Sequence, residues 1–167
     1  MRDTPEPAPG GASQGGKTAQ EDCALPDNAP VIVRWKLPFS SGELQDMIAA
    51  MLAAAGRPDA QAELVVLDDA SMEVLHGQCL GRSGPTNILS FPLGAGRGGA
   101  SGSLLGALAL SPDTFLRECF LYGQDPGEHC ARLLAHGLAH LLGLEHGPEM
   151  ERMEALMEKA AAGRISG

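Results

Sequence analysis

The stretch HGLAHLLGLEHG (136–147) holds His136, His140 and His146, three of the five histidines in the chain. Histidines four apart on a helix share one face, with their imidazoles roughly 6 Å apart along the axis. Gly143 follows, and glycine readily enters the left-handed conformation that turns a chain back at a helix end. His146 can then approach the same point from outside the helix. Three neutral imidazoles converging from two backbone directions predict a facial ligand set for one zinc ion, with water at the fourth position. Three protein ligands and an open position is the catalytic pattern, whereas structural zinc sites close with four. His136 is therefore a candidate catalytic residue as well as a ligand, the metal-bound water being the expected nucleophile.

The spacing His136-x-x-x-His140-x-x-Gly143-x-x-His146 is that of the metzincin proteases. Those enzymes carry glutamate directly after the first histidine, as general base for the attacking water. Here that residue is Gly137, which has no side chain to take a proton, so a conventional metzincin mechanism is disfavoured. Glu145, beside His146, is the nearest carboxylate in sequence. It is the candidate to orient a ligand histidine or to act as base.

The helix carrying the first two histidines is expected over 125–143, with Asp125 as N-cap, Pro126 in the first turn and Gly143 at the stop. Upstream, VIVRWKL (31–37), AELVVLDD (62–69), TNILSFPLG (86–94) and LLGALALS (104–111) read as strands. Helices are expected over 40–56, 70–81, 112–123 and 148–162, the first capped by Ser40 or Ser41 and stopped by Gly56. This order predicts an α+β domain: a small, mixed four-stranded sheet packed with about five helices around a zincin-like metal cleft. Residues 1–29, rich in Pro, Gly, Ser, Ala and Gln, cannot bury enough apolar surface to offset their ordering entropy. They are expected to be a disordered extension, with a single domain over 30–163.

With 167 residues, the chain fits one domain and a tail. No apolar run reaches the roughly 18 residues of a membrane span, and the N-terminus has no apolar core of a secretory signal. A cytoplasmic location without membrane contact is expected. Cys23, Cys79, Cys119 and Cys130 form no CxxC pair, and reduced, mostly buried thiols are expected. The formal charge is −9, and beyond residue 30 ten basic residues still face sixteen acidic ones. A surface coated with nucleic acid is thereby excluded, and any such contact must be a local basic patch.

At three places the chain resembles the YbeY-like endoribonucleases of ribosomal RNA maturation. Residues 136–146 are similar to that family's His-Gly-x-x-His-Leu-x-Gly-x-Asp-His, with Glu145 in place of the aspartate. PTNILSFP (85–92) resembles its Pro-Thr-(Asp/Asn)-Val-Leu-Ser-Phe-Pro segment, and LLGALALS (104–111) its Leu-Gly-Asp-Ile-x-Ile-Ser strand. Met157-Glu158 fits a Met-Glu pair in the last helix. The likeness spans about residues 31–160. Ala107 replaces the aspartate of the family strand, and Leu80 stands where the family carries an arginine, with Arg82 two residues later.

The resemblance implies a metal-dependent endoribonuclease specific for single strands, acting in 16S ribosomal RNA processing. Its partners would be ribosomal RNA or the small ribosomal subunit, with no role for DNA. Arg82, Arg97, Arg117 and Arg132 are candidates for the local basic patch, Arg132 foremost because it lies one turn before His136. Thr86, Asn87 and Ser90 are candidates to line the cleft. Two other readings are a zinc peptidase or amidase, and a non-enzymatic ribosome-associated factor with a zinc site.

Overall fold

The structure, a computed structural model, describes residues 36–84, 86–94 and 104–164. Helix α1 (Ser41–Ala54) starts from a capping box in which the Ser40 hydroxyl accepts from the Glu43 amide and the Glu43 carboxylate accepts from Ser40 N–H. Its apolar residues Leu44, Met47, Ile48, Met51 and Leu52 recur at helical spacing and are buried. Strand β1 (Gln61–Val66) follows, then α2 (Asp69–Leu80), β2 (Ile88–Pro92) and β3 (Leu104–Leu110). Three helices close the chain: α3 (Pro112–Tyr122), α4 (Pro126–Leu141) and α5 (Pro148–Ala161).

Among the described residues the sheet has three strands, in the order β1-β3-β2, with β1 parallel and β2 antiparallel to β3. A mixed sheet with five helices agrees with the expected α+β class, but the expected fourth strand is not among these three. Residues 31–35 lie outside the described residues, and Lys36 and Leu37 are not in a strand. The extension expected at 1–29 also lies outside them. The strand expected over 62–69 stops at Val66, because Asp68 caps α2 through the Ser71 amide and Asp69 opens the helix. Likewise β2 begins at Ile88 rather than at Thr86, since the Asn87 side chain accepts from the Ile88 amide.

The sheet separates two apolar layers, as the period of two along a strand requires. Leu108, Leu110 and Ile88 face the core built with α1, α3, α4 and α5. Leu89, Phe91, Ala107 and Ala109 face the other way, against Met72, Leu75 and Cys79 of α2. Helix α4 is the centre of the first layer and touches β2, β3, α1, α3 and α5. Cys119 and Cys130 are free, buried thiols, and burial pushes Cys130 up to about 12; Cys79, by contrast with the expected reduced thiols, is disulfide-bonded. No helix among the described residues is long and apolar enough to cross a membrane.

Candidate metal centre

Helix α4 is pinned at both ends by its own sequence. The Asp125 side chain accepts from the Glu128 amide at 3.0 Å, and Pro126 occupies the first turn. At the other end Leu144 N–H donates to the Ala139 carbonyl and Gly143 N–H to the His140 carbonyl, both at 3.0 Å. This pair of bonds is the Schellman arrangement, which needs a left-handed residue after the cap. Gly143 supplies it, at φ +83°. The helix therefore ends at Leu141 and the chain returns across its own last turn, bringing His146 back.

The ligand atoms of His136, His140 and His146 all lie within 4.8 Å of one another. Ring centroids are 4.7 Å apart for His136–His140, 4.9 Å for His140–His146 and 5.5 Å for His136–His146. Imidazole nitrogens about 2.0–2.1 Å from one zinc ion stand at most about 4.2 Å apart, so the group could hold an ion with a small side-chain adjustment. His136 and His140 are half-buried, and His146 is exposed. Burial first, then the neighbouring His136 and His146, hold His140 below the usual imidazole range. That favours the neutral form, which is the form that ligates a metal.

Gly137 directly follows His136 and is buried against the sheet. A Cβ there would stand 2.7 Å from Leu108 Cδ2, 3.1 Å from Ile88 Cδ1 and 3.3 Å from Ser90 Oγ. The position therefore faces β2 and β3, with no room for a carboxylate. The other residues singled out from the sequence are distributed around this helix. Ser90 is buried and its hydroxyl donates to the Gly137 carbonyl. Arg132 is exposed, one turn before His136, and its guanidinium lies 3.5 Å from His129 Nδ1. Arg82 and Glu145 are exposed, and Thr86 is half-buried. The Asn87 amide donates to both carboxylate oxygens of Glu118, at 3.2 and 3.1 Å. Arg117 donates to Asp69 at 2.6 Å, and Arg97 lies outside the described residues. Ala107 belongs to the α2 side of the sheet, opposite the layer that holds α4.

Two carboxylate–imidazole pairs were not anticipated. His136 Nδ1–H donates to Glu154 Oε1 at 2.8 Å, and His129 Nε2–H donates to Glu118 Oε2 at 2.8 Å. His129 is only 6% exposed and stacks on Phe115, with ring centroids 5.3 Å apart and an interplanar angle of 9°. It lies seven residues before His136, and a spacing of seven returns to the same helix face. That spacing was legible in the sequence.

Fold and site together define a small α+β protein with three histidines that could hold a metal ion, brought together by a helix, a glycine turn and a returning loop. Residues 34–163 match the family model described as "Endoribonuclease YbeY", and the chain belongs to that family. The Endoribonuclease YbeY of Nitratidesulfovibrio vulgaris is 43% identical over 147 residues, covering 79% of this chain and 91% of the relative. That of Oleidesulfovibrio alaskensis is 39% identical over 147 residues, covering 77% and 87%. The solution structure of TM1509 from Thermotoga maritima superposes with a TM-score of 0.53 at 17% identity, covering 74% of this chain and 84% of that one. This last likeness concerns the fold alone.

Proposed function

We propose that this chain is a zinc-dependent endoribonuclease that cuts single-stranded RNA in the cytoplasm, with ribosomal RNA as its substrate in 16S maturation. The observation that carries the reading is the convergence of His136, His140 and His146 in a chain of the YbeY family. Residues 30–163 would form the hydrolase domain, with the zincin-like cleft beside α4. A zinc ion bound there supplies Lewis acidity towards a phosphoryl oxygen and makes water acidic enough to attack near pH 7.

The chain's own groups account for the rest. His136, His140 and His146, as neutral imidazoles, would hold the ion without cancelling its charge. Arg132, exposed one turn from His136, would meet a backbone phosphate, and Arg82 would be a second cation for the same task. Thr86 would border the cleft, and Asn87, held by Glu118, would fix its position. Glu145, exposed beside His146, is free to take a proton from water. The peptidase alternative is disfavoured because the position of its base is Gly137, which is packed against Leu108 and Ile88.

Single-stranded RNA, duplex RNA and casein, each incubated with zinc-loaded protein, test the reading. Cleavage of the single strand alone is expected, abolished by a chelator and by His136→Ala. Cleavage of casein instead, or RNA cleavage that survives His136→Ala, overturns it.

A further inference from the structure

We infer that Glu154 is the positioning residue of the metal centre: it holds His136 in the one tautomer and ring orientation that ligates the ion. The inference deepens the proposed function, since it rests on a metal being bound by the three histidines. Helix α5 starts directly after the returning loop and packs along α4. Its buried stripe runs through Met150, Met157 and Ala161, and Glu154 lies within that stripe, four residues after Met150 and three before Met157. A carboxylate in an apolar stripe costs free energy unless it has a partner. Its partner is His136, whose Nδ1–H donates to Glu154 Oε1 at 2.8 Å.

The consequence concerns the other nitrogen. An imidazole with its proton on Nδ1 presents a bare lone pair on Nε2, and the nitrogen left for the ion is set by the bond the other makes. A carboxylate behind the ring also strengthens the imidazole as a donor. Glu154 therefore does for His136 what the sequence suggested for Glu145, which is exposed. Glu158, one turn further along α5, is near Arg132 rather than the histidines; burial pushes its carboxyl up, Arg132 opposes this and Glu154 adds to it. Each carboxylate on this face thus has its own neighbour on α4.

Zinc affinity, read at fixed pH by competition with a chromogenic chelator, and imidazole nitrogen spectra of the metal-free full chain test the role. Glu154→Ala should weaken zinc binding about 10–100-fold. Glu154→Gln, which keeps an accepting oxygen, should weaken it less, and Glu145→Gln should leave it unchanged. In the spectra, His136 should carry its proton on Nδ1, and Glu154→Ala should move it towards Nε2. A residue that merely ties α5 to α4 would lower the stability of the metal-free protein and leave both readouts unmoved. Zinc affinity within about twofold of wild type in Glu154→Ala, set against the loss expected for a second-layer carboxylate, overturns the inference. So does a wild-type His136 protonated on Nε2. The near-isosteric Gln variant keeps the test valid should the Ala variant fold poorly. RNA plays no part in either readout, so failure here and failure to cut RNA are separate results.

Discussion

The Ser90 hydroxyl donates a 3.2 Å hydrogen bond to the carbonyl of Gly137, tying β2 to the helix that carries His136 and His140. The bond is possible because Gly137 has no Cβ to hold the helix off the sheet. Gly137→Ala would place a methyl 2.7 Å from Leu108 Cδ2, in a side chain that is fully buried. Overpacking of this kind costs about 1–3 kcal/mol, and replacing a mid-helix glycine returns roughly 0.5–1 kcal/mol. A net loss of about 1 kcal/mol is expected in urea denaturation. Gly137→Glu should be far more damaging, because the carboxylate would be buried without a partner, and it should gain no peptidase activity. A Gly137→Glu protein as stable as wild type would contradict the packing account.

Glu118 serves a different pair. It accepts from buried His129 and from the Asn87 amide, joining α3, α4 and the segment before β2. Glu118→Ala leaves the buried His129 N–H without its acceptor, at a cost of about 1–3 kcal/mol by the usual penalty for an unmade buried bond. Calorimetric or denaturant unfolding checks this. Zinc affinity should stay at the wild-type value, because His129 is not in the three-histidine group. A variant that keeps its stability but loses zinc would reverse the assignment of the two carboxylate–histidine pairs.

Asp69, at the start of α2, accepts from Ser111, Thr114 and Arg117, linking the N-termini of α2 and α3. Burial pushes its carboxyl up, but the hydrogen bonds from Ser111, Arg117 and Thr114 and the Arg117 charge outweigh it, and the net direction is below the ordinary value of 3.8. A carboxyl lowered in the folded state adds stability above its unfolded pKa and loses it as pH falls through the folded one. The stability difference between wild type and Asp69→Asn should therefore be constant near neutral pH and shrink below about pH 4. A difference that grows on acidification would contradict the assignment.

Much of the site was written in short-range patterns. The four-residue spacing of His136 and His140 and the glycine before the loop placed three histidines together, because helix geometry and a left-handed turn are local rules. Helix starts at Asp125 and Pro112 were legible for the same reason. What the local rules missed came from packing across the fold. Glu154 is eighteen residues from its histidine, and only the antiparallel approach of α5 joins them. Glu118 from α3 engages the Asn87 amide across thirty-one residues. Gly137 looked like a missing base, and its reason is the close approach of Leu108 and Ile88. The overlong second strand reflects a competition that capping won, since Asp68 satisfies the Ser71 amide better as an N-cap than as a strand end.

The central claim is that one metal ion, held by His136, His140 and His146, makes this chain a ribonuclease. Titrating zinc into the metal-stripped protein while following cleavage of a single-stranded RNA tests it most directly. Cleavage should be absent without metal and reach its plateau at about one equivalent, as a three-ligand site with one open position requires. His140→Ala should show no recovery at that ratio. Full-rate cleavage by the stripped protein, or full recovery in His140→Ala at one equivalent, would contradict the account.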